Sequence, residues 1–192
     1  MTAKKSSAAA ATPKAYQLHI ELRGVRPKVW RRLLVPATIK LPQLHVAILW
    51  CTGWDGGHLH EFIFEEANYG PSEPGWGVAE GALDEDGVSL KKALGPYGTF
   101  TYVYDFGDKW QHKVKVEKIV ELDAPLERPL CIAGANACPP EDVGGAPGYA
   151  EFLEALADPA NPEHDNLSEW IGGSFDPTHF DVDEVNLRLR GE

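Results

Sequence analysis

Basic residues are scarce in this chain. Its 18 Lys and Arg stand against 29 Asp and Glu, a formal net charge of -11 at pH 7. Affinity for a nucleic-acid backbone comes from Lys and Arg displacing phosphate counterions, so nucleic acid is not the expected partner. Cysteine is scarce as well: Cys51, Cys131 and Cys138 are the three thiols, an odd number. Residues 1–15 lack the run of large apolar side chains that a secretory signal needs, and read as a disordered tail. No stretch is long and apolar enough for a membrane span. Together these absences predict a soluble cytoplasmic protein with reduced thiols and no membrane contact. Six residues separate Cys131 from Cys138, which is not a zinc-ribbon spacing. Gly144 and Gly145 are not followed by the Lys-Ser/Thr pair of a P-loop.

What is present is a set of strand patterns. A length of 192 residues suffices for one domain with a sizeable core. The central stretch is Tyr102 to Val116, two strands joined by Asp105-Phe106-Gly107-Asp108. In the second strand Trp110, His112, Val114 and Val116 share one face, and Gln111, Lys113, Lys115 and Glu117 share the other. That period of two marks a half-buried antiparallel strand. Gly107 is the residue able to take a positive φ in the turn, and Asp105 and Asp108 can cap it. His112 falls in the apolar row, where a titratable ring needs a partner.

Tyr16, Leu18, Ile20 and Leu22 alternate with polar residues and form a hairpin with 29–35 across Gly24 to Pro27. Of the paired Arg31 and Arg32, at least one is expected to face solvent. Residues 41–51 read as a helix with Pro42 in its first turn and Leu41, Leu44, Ile48 and Cys51 inward. Cys51 is expected to be a small buried residue rather than a nucleophile. His58, His60, Phe62 and Phe64 lie on one face of a third strand. Residues 68–86 form a long acidic excursion rich in Gly and Pro. Ser89 caps a short helix at 90–94, and 100–105 with 110–120 complete the sheet. After Glu121 the spacing becomes helical, with an irregular loop over 131–145 and helices around Tyr149 to Leu156, Leu167 to Ile171 and Asp181 to Arg190. The predicted fold is α+β: a mixed, largely antiparallel sheet with one packed helix and a C-terminal helical annex. Residues 16–192 are the domain, sheet to about 120 and helical over 121–192.

Several pieces recur together in family order. They are Pro27-Lys28-Val29-Trp30-Arg31-Arg32, His58-Leu59-His60-Glu61-Phe62, and Tyr104-Asp105-Phe106-Gly107-Asp108 with Trp110 and His112. Cys138-Pro139-Pro140-Glu141-Asp142 with Gly144-Gly145, and Phe175-Asp176-Pro177 with Phe180-Asp181, complete the set. With these the chain resembles the plasmid pRiA4b ORF-3-like family, whose members carry an insertion-element passenger, TnpR-like label. The resemblance implies an α+β fold and an association with plasmids or mobile elements, but no established activity. A resolvase reading of that label does not fit. A serine recombinase sets its nucleophile beside clustered arginines, and none of Ser6, Ser7, Ser72, Ser89, Ser168 or Ser174 neighbours such a cluster.

The candidate binding residues are His58, His60, Asp105, Asp108, Trp110, His112, Glu141 and Asp142. His58-x-His60, with His112 from another strand and Cys138, could ligate a divalent metal. The competing reading makes the histidines hydrogen-bonded core-edge residues and the Cys138–Asp142 loop a structural clasp. Two function classes follow: a non-catalytic binding or accessory module for a protein partner, and a metal-assisted hydrolase or nuclease built on His, Asp and Glu. The acidic balance favours the first.

Overall fold

A computed structural model describes residues 12–72 and 81–192. Within them the alternation seen in the sequence builds one mixed, mostly antiparallel sheet with five helices, an α+β fold. In chain order the elements are β1 (Lys14–Leu22), β2 (Trp30–Pro36), α1 (Leu41–Thr52), β3 (His60–Ile63), β4 (Asn68–Gly70) and β5 (Leu83–Asp84). Then come α2 (Leu90–Leu94), β6 (Thr99–Tyr104), β7 (Trp110–Glu121), β8 (Leu130–Ala135), α3 (Gly145–Ala157), α4 (His164–Trp170) and α5 (Val182–Arg190). The sheet order is β5-β4-β3-β6-β7-β1-β2-β8, and only β4 and β5 pair in parallel.

The inner row of the sheet carries Leu18, Ile20, Leu33, Phe62, Tyr102, Tyr104, Trp110 and Val114, all buried. α1 joins this row through Leu41, Leu44 and Ile48. Its start is fixed by Pro42 in the first turn and by the Lys40 N–H, which donates to Gln43 Oε1 at 3.1 Å. Gly53 ends it in the left-handed region, φ 88°. The last helix is capped by Asp181, whose carboxylate accepts from the Asp183 and Glu184 N–H groups. The Glu184 side chain does not close a capping box; it binds His179 instead, Oε2 to Nε2 at 2.9 Å.

Four local expectations change. β1 begins at Lys14, inside the expected tail, and pairs Ala15 with Pro36; residues 1–11 lie outside the described residues. The ends of the acidic excursion are two short strands that extend the sheet edge, while 73–80 of it also lie outside the described residues. In the β6–β7 turn the positive φ values belong to Asp105 (58°) and Lys109 (57°), not to Gly107. The Asp105 carboxylate makes this possible by accepting the Gly107 N–H at 2.8 Å.

The fourth change is β8, where an irregular loop was expected and a strand pairs with β2. Gly134 lets it form, because a Cβ there would run into the Phe180 ring. The free edge of β8 would expose unpaired main-chain groups, and α5 covers it. Buried Asn186 accepts the Cys131 N–H at 2.8 Å and donates back to the Cys131 carbonyl at 2.9 Å. Asn186→Ala strands both groups, so it is expected to cost about 2 kcal/mol in urea unfolding. The Cys131 amide should lose its hydrogen-exchange protection in the same variant. Unchanged protection at Cys131 would contradict this role.

Candidate functional site

Three segments meet at one end of the sheet: residues 54–58 after α1, the β6–β7 turn, and the loop 138–145 that leads into α3. The loop is tied down at successive residues. The Trp54 indole N–H donates to the Pro139 carbonyl at 2.9 Å. Glu141 accepts twice, from the Tyr104 hydroxyl at 2.6 Å and from the Asp55 N–H at 2.8 Å. Asp108, expected as a local turn cap, reaches across and accepts the Gly144 N–H at 3.1 Å. Burial, then the bond to Glu141, pushes the Tyr104 phenol up, so it stays a donor. Gly145 follows at φ 69°, and a Cβ there would press on the Asp108 carbonyl. At the start of the loop Cys138 accepts from the Arg31 guanidinium, Nη2 to Sγ 3.5 Å.

His58 closes the arrangement. It lies in a bend just before β3, so strand alternation does not govern it. Its Nε2 is 3.1 Å from Asp142 Oδ1 and its Nδ1 is 3.8 Å from Asp105 Oδ2. One ligand atom from each of His58, Asp105 and Asp142 lies within 4.8 Å of the other two.

His60 belongs to a second, buried group. Its Nε2 is 2.9 Å from Glu85 Oε2, with both side chains almost fully enclosed. The His45 ring from α1 stacks on it at 3.5 Å and 8°. His45 Nδ1 in turn lies 2.7 Å from the Tyr102 hydroxyl. Burial, and then the neighbouring His60, hold His45 down at about 3, so it is neutral near pH 7. Burial likewise raises Tyr102 well above the ordinary phenol range. The two groups share a cleft of about 630 Å³, lined by His45, His58, His60, Glu85 and Asp105 with Phe106 at its rim.

The sequence-derived ligand set of His58, His60, His112 and Cys138 does not meet at a point. His60 turns to Glu85. His112 is on β7 opposite Tyr102, walled by the Tyr102 ring and the Trp54 edge, each 5.4 Å away. Cys138 sits beside Arg31. Trp110 packs next to Trp54, 5.7 Å between rings, and lines no cleft wall. Among the expected residues, His58, Asp105 and Asp142 come together, and Glu141 and Asp108 hold the loop that carries Asp142. Glu85 had no site signal in the sequence, and Arg31 stood out only as one of a paired-arginine motif. Glu85 is 25 residues from His60 and arrives only because β5 is placed on the sheet edge.

The chain and its fold have known relatives. The family model described as plasmid pRiA4b ORF-3-like protein matches residues 14–184. The chain belongs to that family. It is 40% identical over 173 residues, 88% of each chain, to the uncharacterized protein y4hQ of Sinorhizobium fredii (strain NBRC 101917 / NGR234). It is also similar to the crystal structure of MM3350, a protein of unknown function from Methanosarcina mazei Go1. That match has a TM-score of 0.80 and 34% identity, covering 91% of this chain and 98% of the other. Among the described residues no helix is long and apolar enough to cross a membrane.

Proposed function

We propose that the protein is a non-catalytic binding or accessory module of the cytoplasm, working beside plasmid or mobile-element genes. Its cleft takes a cationic group from a protein partner. One observation carries this reading: the cleft of about 630 Å³ is lined by the Asp105 carboxylate and three imidazoles, with the enclosed Glu85 carboxylate behind His60 adding negative charge to its wall. The formal charge of -11 supports a basic partner and disfavours a phosphate backbone. Reactive groups are poorly represented there. His45 is too weak a base near pH 7, and the thiols of Cys51 and Cys138 are pushed up by burial and line no wall of the cleft.

The test is a calorimetric titration with a short lysine- and arginine-rich peptide and with an aspartate-rich control. The basic peptide is expected to bind and to weaken as salt rises. Glu85→Gln is expected to weaken it about tenfold, ~1.4 kcal/mol. No binding of the basic peptide, or affinity indifferent to Glu85→Gln, overturns the reading. The grouping of His58, Asp105 and Asp142 supports a second reading, metal-assisted hydrolysis. Turnover of an activated phosphodiester that requires added metal and disappears in Asp105→Asn would favour it.

A further inference from the structure

We propose that His58, Asp105 and Asp142 form a divalent-cation subsite at the mouth of the cleft. The inference goes beyond the binding reading and does not depend on it. Three observations support it. One ligand atom from each of the three residues lies within 4.8 Å of the others. An ion takes only one ring nitrogen of an imidazole. Asp142 Oδ1 stands 3.1 Å from His58 Nε2 and Asp105 Oδ2 stands 3.8 Å from its Nδ1, so binding needs the exposed Asp142 carboxylate to swing to the ring nitrogen that the ion uses. The Asp142 side chain is 72% exposed, so its carboxylate is free to turn toward the ion.

The second observation is the state of Asp105. This side chain is only 10% exposed. Its Oδ1 is anchored by the Gly107 N–H. Its Oδ2 faces His58 at 3.8 Å, beyond hydrogen-bond reach, and has no hydrogen bond among the described residues. That oxygen opens onto the cleft from a side chain that is otherwise enclosed, and a cation reaching it there would meet a carboxylate with one oxygen free of any donor. The third observation is the fixed loop. The bonds of Glu141 and Asp108 hold residues 138–145 against the sheet and so keep Asp142 within reach of His58.

One imidazole with two carboxylates suits a first-row ion such as Zn²⁺ or Mn²⁺. Three protein ligands leave a coordination position open to the cleft. Mn²⁺ is the stricter probe, because thiolates hold it poorly and the three cysteines then do not compete.

The experiment is calorimetric titration of the metal-free full chain with MnCl₂, followed by ZnCl₂. Wild type, His58→Ala, Asp142→Asn and Glu85→Gln are compared. Asn takes the left-handed backbone of residue 142, φ 59°, as readily as Asp. Asp142→Asn is therefore expected to fold like the wild type, which circular dichroism checks. The expected result is one Mn²⁺ per chain, weakened at least tenfold by His58→Ala and by Asp142→Asn, and unchanged by Glu85→Gln. Absence of stoichiometric binding, or an affinity that neither His58→Ala nor Asp142→Asn alters, overturns the subsite. Asp142 does not line the cleft, so the basic peptide should bind Asp142→Asn as it binds the wild type. Loss of peptide binding with Mn²⁺ binding intact defeats the binding reading alone; the reverse pattern defeats the subsite alone.

Discussion

Arg31→Ala is expected to lower stability by about 4 kcal/mol, while the same change at its neighbour Arg32 costs under about 1 kcal/mol. The two residues are adjacent on β2 and face opposite sides. Arg32 lies on the open face and forms a two-point bond with Glu117, 2.7 and 2.8 Å, which holds that carboxyl down at about 2. Solvent screens such a pair. Arg31 is 4% exposed. Its Nε donates to the Cys51 carbonyl at 3.0 Å, where α1 has run out of internal donors for its last turn. Its Nη1 donates to Trp30 and Ala135, and its Nη2 to Cys138. The Phe180 ring lies 4.7 Å from the guanidinium carbon. One planar fork thus ties together β2, α1, β8 and the start of the site loop. Arg31→Lys should recover less than half of the loss, because one ammonium cannot span the Cys51 and Ala135 carbonyls. Urea unfolding followed by tryptophan fluorescence measures all three variants. A loss below 1 kcal/mol for Arg31→Ala would remove the guanidinium from this role.

The difference between the two arginines marks how far the sequence is readable. Alternation identifies β1, β2, β6 and β7, because half-buried strands leave a period of two. It also places Arg31 and Arg32 on opposite faces. It does not show which face an incoming loop will cover, so the buried arginine looks like any strand residue. β8 leaves no period, since Leu-Cys-Ile-Ala-Gly-Ala is apolar on both faces, and its Gly134 is required by contact with Phe180. β4 and β5 are three and two residues long, too short for a pattern. At the site, the Pro139-Pro140 loop and its acids stand out in the sequence. The division of labour between them does not: Glu141 binds Tyr104 and Asp55, while Asp142 meets His58. That choice follows from the side on which the loop crosses the strands. The His-x-His pattern misleads for a related reason. β3 begins at His60, and His58 lies outside the pleat that would have aligned the two rings.

Acidification from pH 6.5 to 4 is expected to cost the wild type about 3 kcal/mol more than it costs His112→Leu. His112 is 1% exposed, and among the described residues neither ring nitrogen has a hydrogen-bond partner. Burial pushes the imidazole down from 6.5 to about 4, and the nearby main chain of Tyr102 and Trp110 offsets part of that. The unfolded chain takes up this proton below about pH 6.5, whereas the folded chain refuses it until about pH 4. Within that window the unfolded state binds more protons, so stability falls as pH falls, by ~1.4 kcal/mol for each unit. Above the window both states are neutral at this residue and its contribution is constant. His45, held at about 3, acts with the same sign and carries the loss further into acid. The Glu117 carboxyl, held at about 2 by Arg32, adds a loss only below its ordinary value of 4.5. Both remain in the variant, so the difference between the two proteins isolates His112. Leucine is close to histidine in size and has no polar atoms to strand, so His112→Leu should be within about 1 kcal/mol of wild type at pH 7.5, or more stable. Urea unfolding at half-unit steps from pH 7.5 to 4 gives both curves. They should be nearly parallel above pH 6.5 and diverge below it, with the variant the less acid-sensitive; curves that stay parallel down to pH 4 would mean that His112 is protonated as easily inside the fold as outside it.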